Sequence, residues 1–418
     1  MGSVLNIKVL TLAFETAIFS LIVWLVCTAI TSPIAALYNF RNVLVRWRST
    51  LATVLGIGLV VAVFVLVQSL AVGLEKSAGN TGDPRNILIV RKGSTAESTS
   101  MVSLQQFQIL HYWEQIARDD AGTPLISADL ISLISQPRID GHGEANVSVR
   151  GVSATGMALR PQVKLIAGRW FAPGKREVTV SQKLARRFAH FHAGDTFRTG
   201  GNTLTVVGEF DGANSAFDSE VWMDADEARS IFDRQEYSSL LVRASSPAAA
   251  QELIHRIEAD KRLPLLAAPE VKYYADQTAT ALPIKILGNF LATAMSVGAI
   301  FAAMNTMYAS VGSRTREIGT LRVLGFRRRT ILAGFIVEGA LLAAIGGVLG
   351  CLLALPLHGV STGTMSFNSF SETVFEFRIT PWLAAKGLIF AIVVGVVGSL
   401  LPAIRASRLP VITALKSV

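Results

Sequence analysis

Four long apolar runs constrain this chain more than any other feature: 51–72 (LATVLGIGLVVAVFVLVQSLAV), 284–307, 331–355 and 382–404. Each reaches or exceeds the roughly 20 residues that take an α-helix across a bilayer. A fifth run, 10–30, precedes them and carries Glu15. With 17% charged residues and a mean hydropathy of +0.45, the chain is too apolar for an ordinary soluble protein. Between the first two core runs lie about 210 residues without such a stretch, enough for a domain with its own core.

Charge is divided between these parts. Residues 73–282 hold 23 Lys and Arg against 25 Asp and Glu, and the remainder holds 16 against 5. The formal net charge of +9 therefore belongs to the membrane part. A nucleic-acid binder would carry its excess on a folded domain, so no nucleic-acid partner is expected. Arg41, Arg46 and Arg48 precede the first core run. Six arginines lie between the second and third, and Arg405, Arg408 and Lys416 follow the last. These groups fall on one side, the cytoplasm by the positive-inside rule. The domain and the loop 356–381 then face outward.

The amino-terminal segment 1–34 is read as an extra span. A cleaved signal needs a basic start, and residues 1–9 offer only Lys8. Cleavage would also leave 41–48 outside. The alternative is a helix lying flat at the interface, a role that 35–50 suits better, with Leu37, Phe40, Leu44 and Trp47 at helical spacing among arginines.

The expected fold is thus a polytopic α-helical membrane protein. It has four core transmembrane helices, an extra amino-terminal one, and a large α+β extracytoplasmic domain between the first and second core helices. The boundaries run 1–34 (extra span), 35–50 (interfacial helix), 51–72 (first core span), 73–283 (outer domain), 284–308 (second), 309–329 (cytoplasmic helix and loop), 330–355 (third), 356–381 (outer loop), 382–404 (fourth) and 405–418 (tail).

Within the outer domain, NILIVRK, LISADLISLIS, EANVSVRGVSA and SSLLVRA read as strands, and TFRTGGNTLTVVGEFD as two strands turning on Gly-Gly. EVTVSQKLARRFA reads as a strand running into a helix. Residues 104–119, DADEARSIFD and 246–260 read as helices, the last two with Asp or Ser caps. No catalytic or metal constellation stands out. His142 sits in a turn. His190 and His192 would share a face only on a strand and have no evident third ligand. Asp211, Asp218 and Glu220 are read as a solvated loop rather than a hydrolytic pair. GRWFAPGK has five residues between its glycines, and Arg176 follows its lysine, so no phosphate loop is present. Cys27 and Cys351 both lie in apolar runs and support neither a disulfide framework nor a thiolate metal site.

The stretch SRTREIGTLRVLGFRRRT (313–330) holds six arginines, one glutamate and two glycines. Residues 311–323 read as a short amphipathic helix, with Ile318, Leu321, Val323 and Leu324 apolar and Arg314, Arg316, Glu317 and Arg322 polar. Gly325 is placed to end it in the left-handed region. A plain anchor of positive charge needs no helix, glutamate or glycine stop. Glu317 and Arg322, five apart, do not share a face, which suits Glu317 to a basic group on a partner. Ile318 and Leu321, three apart, do share one.

This pattern resembles the REIGxLRxLGxxRxxI element of MacB/FtsX-like ABC transporter permeases, filled by Arg316, Glu317, Ile318, Gly319, Leu321, Arg322, Leu324, Gly325, Arg328 and Ile331. The tail resembles the family's PAxRAaxldPveAL ending at Pro402, Ala403, Arg405, Ala406, Leu409, Ala414 and Leu415, with Pro410 following Leu409 directly. The outer segments VRGVSA, AGRWF, EVTVSQKLARRF, GDTF and VVGEF look like a MacB-type periplasmic core. The likeness covers about 35–418; 1–34 is no part of the usual pattern.

The resemblance implies a non-catalytic permease in a bacterial inner membrane. It pairs with a second copy or a homologous permease above separate ATPase subunits, which bind ATP and Mg2+; this chain itself holds no cofactor. A membrane-fusion protein and an outer-membrane component are further partners within the family's range. ATP-driven closure would push the cytoplasmic helix, Ile318 and Leu321 would enter a groove on the ATPase, and the motion would reach the outer domains for export or extraction. The alternatives are an FtsX-like regulator of a cell-wall hydrolase and a passive sensor or adhesin, which the arginine-rich helix opposes.

Overall fold

The computed structural model describes residues 47–141, 143–277, 281–366 and 369–410. The expected extra span, most of the interfacial helix, His142 and the end of the tail lie outside these residues.

In chain order, helix α1 (Trp47–Gly79) is followed by strand β1 (Asn86–Arg91), helix α2 (Leu104–His111), β2 (Ile126–Pro137), β3 (Glu144–Val152), β4 (Lys164–Gly168) and β5 (Glu177–Ser181). Next come β6 (Thr196–Thr199), β7 (Asn202–Asp211), β8 (Glu220–Asp224), α3 (Ala225–Ile231), β9 (Ser239–Arg243), α4 (Pro247–Ala259), β10 (Leu265–Pro269) and α5 (Glu270–Gln277). The chain continues through α6 (Ala281–Ser313), α7 (Thr315–Val323), α8 (Arg328–Ala354), β11 (Ser361–Met365), β12 (Glu372–Glu376) and α9 (Pro381–Ser407). Two compact units result. One comprises Leu70–Ile284 and Gly359–Arg378; the other takes Lys285–His358 and the chain before and after these segments.

Among the described residues, four helical segments are long and apolar enough to cross a membrane: Thr50–Gly79, Ile286–Ser313, Arg328–Leu357 and Pro381–Ser407. The first two run beyond the apolar stretches that announce them. Glu75, Lys76 and Ser77 are sound helical residues, and the helix stops only at Gly79, before a turn in which Gly82 takes φ +92°. Glycines set the helix contacts. A Cβ on Gly346 would lie 2.9 Å from Val54 O, and one on Gly339 would lie 2.6 Å from Ser399 Cβ. Gly346 and Gly350 therefore seat α8 against α1, while Gly395 and Ser399 bring α9 against α8, as small residues do between membrane helices.

The other unit is an α+β domain around a mixed sheet in the order β10-β1-β9-β2-β3-β8-β5-β7-β4, with β6 also pairing β7. The pairs β3–β8 and β5–β7 are parallel and the rest antiparallel. Alternation along β3 and β8 sends Val147, Val149, Val221 and Met223 into a core with Phe188, Phe191 and Leu204. A second core gathers Ile87, Leu110, Leu240, Leu253 and Ile257. The helix expected over 104–119 ends at His111. Trp113 and Ile116 turn into that second core, and Ile116 bridges Ala244. Caps fall where the sequence places them: Asp224 accepts from Glu227 N, and Ser246 from Ala249 N.

The loop 356–381 is more than a connection. Strands β11 and β12 form an antiparallel hairpin that packs into the domain. Val374 joins the first core, and Phe375 meets Leu74. Glu372 accepts from Arg138 Nη2 at 2.7 Å and from Arg187 Nε at 3.0 Å, while Lys183 bridges Glu376 at 2.8 Å and Asp218 at 2.9 Å. Asp218 is thus no solvated loop residue. Nor is Glu220, which is buried against Arg150 at 2.8 Å.

Candidate functional site: the loop between the second and third spans

The nine-residue helix α7 forms within the arginine-rich stretch and ends as its glycine foretells. Gly325 takes φ +93°. Its N–H donates to Arg322 O at 3.2 Å, and Phe326 N donates to Leu321 O at 3.1 Å. This pair of bonds is the Schellman stop, which satisfies carbonyls that the last turn would otherwise leave open.

The helix is tied to its own unit at the amino-terminal end. Ile318, 2% exposed, sits in a cluster with Met307, Val311, Ile331, Phe335 and Ala403, and Gly319 is buried beside it. Arg314, the residue before the helix, donates from Nη1 to Glu338 Oε2 at 3.0 Å and from Nε to Glu317 Oε2 at 3.2 Å. Its guanidinium also lies 5.3 Å from the centre of the Phe335 ring. Glu338 is the ionisable residue that interrupts the third apolar run, and here it has a buried partner, which is how a carboxylate is tolerated at such a place.

These contacts alter part of the sequence reading. Ile318 cannot lie on a docking face with Leu321, because Ile318 fills the unit's own core and Leu321 is half-buried. Glu317 meets a basic group within the chain, Arg314, although its side chain stays 50% exposed. The apolar groups turned outward lie at the carboxyl end of the element: Val323 at 61%, Leu324 at 69% and Phe326 at 43% exposure. Around them Arg316, Gly325 and Arg327–Arg329 are exposed, and Arg322 is half-buried. Arg314 was legible as a polar helix residue, but its reach to Glu338 spans 24 positions and no local period signals it.

Among the described residues no group of three or more His, Cys, Asp or Glu side chains could hold a metal ion. His192 lies 3.1 Å from Glu209 at the surface, and His190 takes φ 61° in a turn.

Two family profiles match the chain. The MacB-like periplasmic core domain covers residues 49–260, and the FtsX-like permease carboxyl-terminal profile covers 289–411. The macrolide export ATP-binding/permease protein MacB of Hahella chejuensis is 25% identical over 324 residues, which are 70% of this chain and 48% of that one. The ABC transporter permease YknZ of Bacillus subtilis is 25% identical over 291 residues, 65% of this chain and 70% of that one. MacB of Nitrobacter winogradskyi is 42% identical over 130 residues, 31% of this chain and 19% of that one. The chain thus spans about half the length of the Hahella protein it matches. Four membrane-capable helices joined to a domain of this type make it a membrane protein with a domain outside the cytoplasm. With one profile over its first span and most of its outer domain and the other over its last three spans and the loops between them, the chain belongs to the MacB/FtsX-like family of ABC transporter permeases.

Proposed function

We propose that this chain is the membrane subunit of an ABC complex, working with separate ATPase subunits that bind ATP and Mg2+ and with a second copy of itself or a homologous permease. The observation that carries the reading is the exposed Val323, Leu324 and Phe326 cluster, held at the foot of the third span by a defined helix stop and ringed by arginines. An apolar cluster at the end of a short helix suits docking into a groove. Contacts of Arg314 and Ile318 would pass a push on that helix to α8 and its neighbours. The complex would then use ATP for mechanical work on the outer side, in export or extraction of a substrate, and a membrane-fusion protein and outer-membrane component could extend it. Arg316, Glu317, Ile318, Gly319, Leu321, Arg322, Leu324, Gly325 and Arg328 form or brace the coupling element in this scheme, and the bacterial inner membrane is its place.

The test is co-purification of the ATPase from mild detergent, with turnover measured alongside. Leu324→Asp should leave the permease folded and inserted but remove the ATPase, because a carboxylate desolvated in such a contact costs several kcal/mol as a rough figure. Full ATPase retention and full activity in Leu324→Asp would sink the docking assignment.

A further inference from the structure

Buried charge is concentrated on one face of the outer domain's sheet. Alternation that sends Val149 and Val221 into the core sends Ser148, Arg150 and Glu220 the other way. There Arg150 meets Glu97 at 3.1 Å, Asp129 at 3.1 Å and Glu220 at 2.8 Å, while Arg160 meets Asp129 at 2.6 Å. Tyr274 and Ser239 donate to Glu97 at 2.9 and 2.6 Å. Burial alone would raise Glu97, but Arg150 beside it holds the carboxyl at about 2, so it stays ionised. Glu270, 3.9 Å from Arg160, has its carboxyl pushed up by burial. The carboxyl groups of Glu97, Asp129 and Glu220 thus outnumber the guanidinium groups of Arg150 and Arg160 that they meet. A buried charge without compensation is costly.

A cavity of about 130 Å³ opens against this cluster, lined by Glu97, Arg150, Glu220, Tyr274, Ser77 and Ser148. It approaches the roughly 150 Å³ that accepts a benzene-sized guest. The two serines are only 6% and 8% exposed, and among the described residues neither hydroxyl has a hydrogen-bond partner, which leaves both free to meet a guest in the cavity. The remaining wall sets an apolar side of Leu74, Ala78 and Ala96 against further hydroxyls, Ser369 and Ser371 among them. A dehydrated metal ion would want six or more oxygens, whereas the carboxylate oxygens of Glu97 already accept from Arg150, Ser239 and Tyr274. An alkylammonium group matches the site better: it offers positive charge and N–H donors at one end and methylene at the other.

We propose that this cavity binds a small protonated amine of about ethanolamine size, its ammonium toward Ser77, Ser148 and Glu220 and its carbon chain against Leu74 and Ala78. The assignment is independent of the coupling scheme. The experiment is titration of the full chain in detergent with ethanolamine at neutral pH, at constant ionic strength, with ethylene glycol as the uncharged analogue. Saturable ethanolamine binding with a raised unfolding midpoint is expected, and the glycol should give neither. Joint replacement Ser77→Ala and Ser148→Ala should weaken binding about tenfold while leaving the ligand-free midpoint close to that of the parent. Ser148→Leu, which fills the cavity, should abolish it. No saturable binding, an equal response to the glycol, or undiminished affinity in the double alanine variant overturns the proposal. Reconstitution in phosphatidylethanolamine against phosphatidylglycerol bilayers identifies the source of the amine. Displacement of the soluble amine only by the former assigns a lipid headgroup, and equal binding in both assigns a free molecule.

Discussion

Arg314 and Glu338 lie 3.0 Å apart, nitrogen to oxygen, with side chains 10% and 7% exposed. The first stands just before helix α7; the second is inside α8. Their bond fixes one end of α7 to the span that follows it. Removal of one partner should therefore do more harm than removal of both. Glu338→Ala should cost about 3 kcal/mol, the usual scale for stranding a buried charge. The pair Arg314→Met with Glu338→Leu should cost less than either single change, a non-additivity expected of residues in contact. Denaturant unfolding of the four proteins in detergent checks this, and additive losses would show that the pair does not act as one.

Ile318 and Leu324 should separate stability from coupling. Ile318→Ala should lower the unfolding midpoint by opening a cavity beside Met307 and Phe335, at a cost of about 2 to 4 kcal/mol. Leu324→Ala removes an exposed side chain and should change stability by less than about 0.5 kcal/mol. If the two variants lose stability equally, the division of α7 into a seated and a presented end is wrong.

The hairpin should detach when its carboxylate is lost. Glu372→Ala leaves Arg138 and Arg187 without their shared partner, and both are partly exposed, so a cost near 2 kcal/mol is reasonable after solvent screening. Glu144→Ala breaks only the exposed bond to Ser135 and should cost under about 1 kcal/mol. Limited proteolysis within 361–376 reads the difference: Glu372→Ala should be cut sooner, and Glu144→Ala at the parental rate.

Two buried glutamates should give the outer domain opposite responses to pH. Glu97 is lowered on folding, so its contribution is complete above its unfolded value of about 4.5 and disappears as pH falls toward about 2. Glu270 is raised by burial, so its contribution is complete below its unfolded value and fades as pH rises through the folded one. Glu270→Gln, which can still accept from Asp83 N and Asn86 Nδ2, should thus gain on the parent as pH rises and match it in acid. Unfolding midpoints between pH 3 and 8 test this; a constant gap across the range would contradict it.

Much of this arrangement is legible in the sequence, for identifiable reasons. Membrane spans announce themselves because a bilayer demands one long apolar run, and Gly325 because a left-handed stop favours glycine. Strands such as β1 and β9 show as short branched runs. The position of Ile318 is harder to read. A nine-residue helix at a membrane foot has two apolar sides, and only tertiary packing says which is already occupied. The ion clusters are harder still. Arg150 and Glu97 are 53 positions apart, and their meeting depends on which strands become neighbours. A lone charged residue in a strand reads as solvent-facing unless the sheet order is known. For the same reason Asp218 and Glu220 looked like surface loop, although Lys183 and Arg150 hold them inside.

The hairpin also governs the order in which the protein can be made. The outer domain is discontinuous in sequence, with its last piece, Gly359–Arg378, following the third span. A ribosome that has delivered everything up to Ile284 has therefore not delivered Val374, and the first core stays unfilled at that position. Completion must wait until the chain of α6, α7 and α8 has also been made. The small returning strand pair thus lets the outer domain close only after the second and third spans have been synthesised.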